Sequence, residues 1–314
     1  MIDKKLAIVI PAYKVTFFNE CIRSISNQTN KNFTVYIGDD NSPHNLKKEV
    51  LTYSGLINIK YKRFKENLGK QNLVKHWERC LKLIDDEEWI WFFSDDDIME
   101  KDCVECFYRE LNRSSDLYDL YHFNVQIINE VNDVILTPRQ FPDLVSVESF
   151  FKLKTIGKIK SYMVEYIFRK SAFYSNGGFE YFDLAWGTDD ALWIKLSKKS
   201  GIKTIASSKV MWRKSSENIS PNMNKNISFR KVEAIYKFFE WFKVYSKEKD
   251  IKVTKNLFLL GFLTTIRVPL SNFNVLKMVK EIERFDYSKS KKFVLLIYLF
   301  IYRFYKYLRT YVSK

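Results

Sequence analysis

Two runs of carboxylates are placed where they could do chemistry. The first, Asp95-Asp96-Asp97, ends the apolar stretch Trp89-Ile90-Trp91-Phe92-Phe93. The second, Asp39-Asp40, ends Phe33-Thr34-Val35-Tyr36-Ile37-Gly38. Adjacent like charges repel by roughly 1 to 4 kcal/mol per pair, depending on the local dielectric. A hard, oxygen-preferring divalent cation (manganese or magnesium) removes that cost, and a nucleotide diphosphate completes its shell. The competing reading is a solvated turn in which Asp95 or Asp96 caps the next helix.

The elements that must carry these acids favour the first reading. Residues 6–10 form a short buried strand stopped by Pro11, and Phe18, Ile22 and Ile25 then recur at helical spacing. Further strands are expected at 33–38, 57–61 and 89–93, with a long helix whose face is Leu73, Trp77, Cys80, Leu81 and Ile84. Strands alternating with helices predict an α/β fold, a mostly parallel central sheet flanked by helices. Ligands bind such sheets beyond the carboxyl ends of the strands, where both acid runs fall. Downstream, strands are expected at 118–128, 134–136, 162–168 and 202–206, and helices at 103–111, 169–174, 189–199 and 230–245. Gly201 suits a helix C-cap. Residues 138–160 carry no readable pattern and are expected to be a specificity loop.

Composition bounds the partners. Lys and Arg number 52 against 37 Asp and Glu, a net charge of +15, which calls for something anionic. The basic residues cluster mainly in the tail rather than among aromatics on one face, so no nucleic acid is expected. A chain of 314 residues with mean hydropathy −0.27 suits one large globular domain plus an appendage. No GxGxxG follows the first strand and no GxxxxGK[ST] loop occurs, so phosphate would be held by a metal and basic side chains. Cys103 and Cys106 form a CxxC, but Cys21, Cys80 and the three histidines His44, His76 and His122 do not complete a zinc site. Reduced, buried cysteines of a cytoplasmic protein are expected, and the short apolar run 6–10 does not read as a signal peptide.

Six motifs in order carry a resemblance. They are Ile8-Val9-Ile10-Pro11-Ala12-Tyr13, Ile37-Gly38-Asp39-Asp40-Asn41-Ser42, Glu66-Asn67-Leu68-Gly69, Ser94-Asp95-Asp96-Asp97, Gly177-Gly178-Phe179 and Thr188-Asp189-Asp190-Ala191-Leu192-Trp193. Over roughly its first two thirds the chain resembles the family 2 glycosyltransferases, which have the nucleotide-diphospho-sugar transferase (GT-A) fold, and among them the bacterial surface-polysaccharide type. The resemblance implies an inverting, metal-dependent transfer of a sugar from a nucleotide-diphosphate donor to a hydroxyl of a glycan or lipid-linked acceptor. Pro11, Ala12 and Tyr13 would line the nucleotide pocket. Asp40 would contact the base, with Asp39 as its substitute, and Asn67 and Lys70 would approach the nucleotide. Asp95 would sit near the ribose and donor sugar, Asp96 would ligate the metal with Asp97 beside it, and Arg213 would contact the diphosphate. Ser94 replaces the first acid of the family's common Asp-x-Asp-Asp form, so the division of labour among the three acids stays open.

The catalytic base implied is Asp189 or Asp190, and counting back from Leu192 and Trp193 puts Asp189 at the base position. It would take the acceptor hydroxyl's proton as that oxygen attacks the anomeric carbon. The other reading is that Thr188 or Asp189 only caps its helix. Trp186 either stacks on a sugar or packs in the core. A nucleotide-sugar-binding protein without activity is the alternative that Ser94 prompts. A nucleotidyltransferase would need a glycine-rich basic loop after the first strand, which is missing.

Residues 226–314 lie outside the resemblance, and a division is expected into a catalytic domain, 1–225, and a helical extension, 226–314. Residues 293–302 are ten apolar residues in a row, half of the ~20 needed to span a bilayer. Arg303, Lys306 and Arg309 follow at three-residue steps, and residues 289–314 hold seven Lys or Arg and no acid. Such a helix suits the interface of an anionic membrane. A peripheral position on the inner face of the cell membrane is expected, with residues 257–266 packed beneath the tail helix. The other reading is a dimer contact or a core helix.

Overall fold

The computed structural model describes residues 5–312 apart from 221, 223, 272, 285 and 286, and not the side chains of 306, 307 and 309–312. The chain runs β1 (Leu6–Ala12), α1 (Phe18–Ser26), β2 (Phe33–Asp39), α2 (Leu46–Leu51), β3 (Asn58–Arg63), α3 (Leu73–Leu81), β4 (Trp89–Phe92) and β5 (Ile98–Met99). It continues through α4 (Cys103–Arg113), β6 (Leu120–Ile128), β7 (Val134–Leu136), β8 (Leu144–Val145), α5 (Val147–Thr155), β9 (Tyr166–Arg169), α6 (Lys170–Ser175), α7 (Thr188–Ser200) and β10 (Ile202–Arg213). Four helices follow: α8 (Lys225–Glu248), α9 (Lys255–Leu270), α10 (Val275–Glu283) and α11 (Lys289–Val312).

Among the described residues one ten-stranded sheet runs β3-β2-β1-β4-β9-β6-β10-β5, with β7 on β6 and β8 on β10. β1, β2, β3 and β4 pair in parallel, as do β6 and β10. The antiparallel pairings all involve the short strands β5, β7, β8 and β9. Both faces of the sheet are covered, which is why its central strands read as continuous apolar runs. Trp89, Trp91 and Phe93 enter one apolar cluster with α1 and α4. Ile90 and Phe92 enter the other, with α3, α5, α7, α8 and α9. The four cysteines are buried and free.

Several expectations need correction. β1 runs through Pro11 to Ala12. β4 pairs with β1 only over Leu6 to Val9, so beyond it β1 has one neighbour and Pro11 lacks an N–H where none is needed. The strand expected over 162–168 begins as a 3-10 turn, Met163–Glu165, before β9. β10 continues to Arg213 across a bulge between Ile205 and Lys209, which carries the polar pair Ser207 and Ser208. Residues 138–160 are not a bare loop but contain α5, whose first turn is capped by Ser146 accepting from the Ser149 amide at 3.2 Å.

The helices after β10 pack onto this sheet rather than stand apart. Val232, Phe239 and Phe262 join the cluster that holds Trp193, and Leu295 and Leu299 of α11 are buried in it too. Among the described residues no helix is long and apolar enough to cross a membrane. Arg303, expected at a membrane face, instead donates to the Phe273 carbonyl at 2.6 Å. The side chains of Lys306 and Arg309, and all of Lys314, lie outside the described residues.

Candidate active site

The carboxyl ends of β1, β2 and β4 open into a cavity of about 1020 Å³. Pro11 lines it from β1, Tyr13 and Lys14 from the segment just after β1, Asp40 from just after β2, and Ser94, Asp95 and Asp96 from the segment after β4. Asn67, Gly69 and Lys70 come from the loop before α3, and Asp189 and Asp190 from the first turn of α7. With Glu217, six carboxylates from four distant segments thus face one space.

The acid run after β4 is fixed by backbone groups and one cation. Asp95 Oδ2 accepts from the Tyr13 and Lys14 amides, each at 2.9 Å. Its Oδ1 lies 3.2 Å from Lys14 Nζ, which also donates to Asp96 Oδ2. Burial alone would lower the Lys14 ammonium's pKa, but Asp95 and Asp96 hold it above the ordinary lysine value. Burial raises the pKa of Asp96, with Lys14 opposing. Asp97 does not line the cavity. It is fully buried, its Oδ1 accepts from the Arg213 amide at 2.7 Å and its Oδ2 is without a partner. A role for Asp97 as a direct metal ligand is therefore not what this geometry offers.

Arg213 also departs from its expected place. It is buried in full, and its guanidinium donates to the carbonyls of Asp96 at 2.8 Å and Asn129 at 3.0 Å and to Glu20 at 2.8 Å. It braces the acid run from behind instead of reaching the cavity. Ala12 likewise turns its side chain into the core. Asp39 is wholly buried, accepting from the Ser42 amide at 2.7 Å and from Tyr61, with Arg63 at 3.3 Å. Of the pair, Asp40 is the one at the cavity.

Asp40 is heavily engaged. Its oxygens accept from the Leu68 amide at 2.9 Å, the Gly69 amide at 2.8 Å and the Arg79 guanidinium. Burial raises its pKa, against the pull of those amides and Arg79. His76 lies beside it at 3.3 Å, with its pKa lowered to about 3 by burial and by Arg79. A Cβ on Gly69 would come within 2.6 Å of Asp40 Oδ2, so this close approach requires glycine. The arrangement pins the Asn67 to Lys70 loop against the cavity.

The α7 end is built on a strained turn. Leu184 and Ala185 have φ of 59° and 54°, and Gly187 follows at 93° with the Phe238 ring against it. Two consecutive non-glycine residues in the left-handed region cost on the order of 1 kcal/mol or more each. Asp183, bonded twice to Arg230 at 2.6 and 2.7 Å, ties this turn to α8. The turn delivers Trp186 and the half-buried Asp189 to the cavity. Burial and the Asp190 charge push the Asp189 carboxyl up to about 7, with Lys154 opposing. Lys154 of α5 donates to Asp190 itself.

Sequence reasoning missed four contributors: Lys14, Lys154, Arg79 and the loop at 217–220, whose Glu217 accepts from Thr16 at 2.8 Å. Lys14 adjoins Pro11-Ala12-Tyr13 and could have been noticed there. Lys154 had no signal, because its partner is 36 residues away. The cavity's far wall, including Phe150, Phe151, Phe238 and Phe239, is apolar and comes from α5 and α8.

Among the described residues no three His, Cys, Asp or Glu side chains converge as a metal cage. The donor set does fit a hard divalent ion of the kind held by one or two carboxylates together with substrate phosphates. Asp95 Oδ1 and Asp96 Oδ2 already converge on one cationic group.

Comparisons with known proteins bear on the fold and the family. A glycosyltransferase of Rickettsia conorii, described as uncharacterized, is 23% identical over 215 residues, 64% of this chain but 31% of that protein. A second, from Rickettsia felis, matches to the same extent. The chain therefore spans about a third of the length of these curated relatives. Among solved structures, S. aureus TarS 1-349 in complex with UDP-GlcNAc superposes with a TM-score of 0.60 at 14% identity, covering 95% of this chain and 91% of that one. GalNAc-T7 with UDP, GalNAc and Mn2+ superposes with a TM-score of 0.50 at 13% identity, covering 84% and 54%. At such identities these two establish a shared fold. The sequence model described as glycosyl transferase family 2 matches residues 7–180, more than half of the chain, and the protein belongs to that family.

Proposed function

We propose that the chain is an inverting glycosyltransferase that moves a sugar from a nucleotide-diphosphate donor to a hydroxyl of a glycan or lipid-linked acceptor in surface-polysaccharide synthesis. The observation that carries this is the meeting of Asp95, Asp96 and Asp189 around one cavity. Asp189 accepts the acceptor hydroxyl's proton as that oxygen bonds to the anomeric carbon. The bond from that carbon to the diphosphate oxygen breaks with its electron pair, and single displacement inverts the centre. Asp40 and the Asn67 to Lys70 loop border the nucleotide, with Pro11 and Tyr13 on the other side. Asp95 and Asp96 would hold a divalent cation, manganese or magnesium, which neutralises the departing diphosphate's charge when bound.

Support for a UDP-type donor comes from the shared fold with proteins solved with UDP or UDP-GlcNAc. The apolar wall beside Asp189 suits an acceptor with an apolar portion. We keep the division into a catalytic domain, 1–225, and an extension, 226–314, as a functional one. The extension's α11 buries Leu295 and Leu299 but exposes Phe293, Ile297, Phe300, Ile301, Phe304 and Leu308, a second stripe at helical spacing. With the basic tail, that stripe supports attachment to an anionic membrane from the cytoplasmic side.

The test is a screen of nucleotide sugars for manganese-dependent donor hydrolysis. Hydrolysis of at least one, lost in Asp189→Asn with binding retained, is expected. Binding without turnover in the unaltered protein would overturn the enzymatic reading in favour of the non-catalytic one that Ser94 prompts.

A further inference from the structure

The acid pair at the end of β4 is not waiting empty for a cation. Lys14 Nζ already bridges it, at 3.2 Å from Asp95 Oδ1 and in contact with Asp96 Oδ2. The bridge is built into the backbone. The amides of Tyr13 and Lys14 clamp the other Asp95 oxygen at 2.9 Å each, so the lysine's own main chain sets its side chain over the pair. The two carboxylates are about 5% exposed, whereas the lysine side chain keeps 24% of its surface, so the cation and not the acids is the part able to move. A magnesium or manganese ion bonds carboxylate oxygens at about 2.1 Å. Bound to the same two oxygens from the cavity side, it would enter the volume that the ammonium group fills.

We infer that Lys14 is a resident counter-cation that competes with the divalent ion for Asp95 and Asp96, so that metal enters in concert with the donor. This rests on the metal-assisted reading proposed above. An ammonium and a divalent ion crowded onto the same two oxygens repel each other, so the ammonium must move aside as the metal binds. A diphosphate supplies what the free protein lacks: new anionic oxygens for the displaced ammonium and further ligands for the metal. Metal and donor are then linked, each strengthening the other's binding by the same factor. In the free protein the lysine offsets one of the pair's two negative charges and fills the volume the metal would need, and metal affinity is low.

The experiment titrates manganese into the protein, followed by electron paramagnetic resonance, with and without UDP as the diphosphate probe. Unaltered protein, Lys14→Met, Lys14→Arg and Asp96→Asn are compared, and thermal denaturation verifies that each is folded. Without UDP, Lys14→Met is expected to bind manganese tighter than the unaltered protein by roughly tenfold or more, and UDP to add less to it. Lys14→Arg, which keeps the charge, is expected to stay weak. Manganese binding that appears with UDP in the unaltered protein but is unchanged by Lys14→Met overturns this inference alone. Absence of manganese binding in every protein, UDP included, overturns the metal-assisted reading and the inference with it.

Discussion

Lys154 of α5 donates its ammonium to the carboxylate of Asp190, leaving the neighbouring Asp189 to accept from the Asp190 amide at 2.9 Å and to face the cavity. Two adjacent acids at one helix start are thus made unequal by a residue from another element. One is held in an ion pair, and the other is available to take a proton.

The first expectation concerns that inequality. Asp189→Asn should retain donor binding and lose transfer by about 10²- to 10⁴-fold in kcat, the usual range for removing a general base. Asp190→Asn should cost far less. Single-turnover transfer alongside calorimetric donor binding checks both. Full transfer in Asp189→Asn would move the base to Asp190.

The second follows from charge and pH. The Asp189 carboxyl, raised from 3.8 to about 7 by burial and by Asp190, is a base only when deprotonated. The rate should therefore climb as pH rises through about 7. Stability runs the other way. Between 3.8 and about 7 the folded chain holds a proton that the unfolded chain has released, so this group's contribution to stability falls as pH rises across that window. Lys154→Met removes the charge that opposes the shift and should move the rising limb of kcat/KM to higher pH, by about one unit. An unmoved limb would mean that another group limits the rate.

A third concerns Asp40. Replacing it with Ala takes the acceptor from the Leu68 and Gly69 amides and the carboxylate partner from the Arg79 guanidinium, which keeps its bond to the Glu66 carbonyl at 3.0 Å. A broken, mostly buried pair of this kind costs about 3 kcal/mol, to be read as a lowered Tm. Gly69→Ala, whose Cβ would press on Asp40 Oδ2 at 2.6 Å, should weaken nucleotide binding with a smaller loss of stability. Equal Tm losses in the two variants would count against separate roles.

A fourth concerns the metal. Chelation should abolish donor binding by the unaltered protein, and Asp96→Ala should make binding weak and indifferent to chelation. Calorimetry with UDP, before and after EDTA, decides it. Asp96→Ala that still responds to manganese would place the metal elsewhere.

A fifth concerns α11. Changing Ile297, Ile301 and Phe304 together to Ser leaves the buried Leu295 and Leu299 in place. Flotation with anionic phospholipid vesicles should drop by roughly tenfold or more, given ~0.8 kcal/mol per buried methylene. Unchanged flotation with a changed oligomeric state would make the stripe a contact between copies.

The amino-acid sequence by itself determined the central sheet and its acid-bearing ends. Strands such as Trp89–Phe92 are buried on both faces, so each residue's apolar character is local information, and a carboxylate run straight after such a strand has one place to go. It could not determine which acids face the cavity. Asp39 and Asp40, or Asp96 and Asp97, are chemically alike and adjacent, and only the folded surroundings separate them. Arg63 and Tyr61 claim Asp39, and the Arg213 amide claims Asp97. The tertiary structure likewise decided that Lys14 sits across Asp95 and Asp96, that Lys154 takes Asp190, and that the turn at Leu184 and Ala185 aims Asp189. The two ion pairs, and the Asp183 to Arg230 tie that holds the turn, join groups tens of residues apart, and such contacts leave no period in the chain.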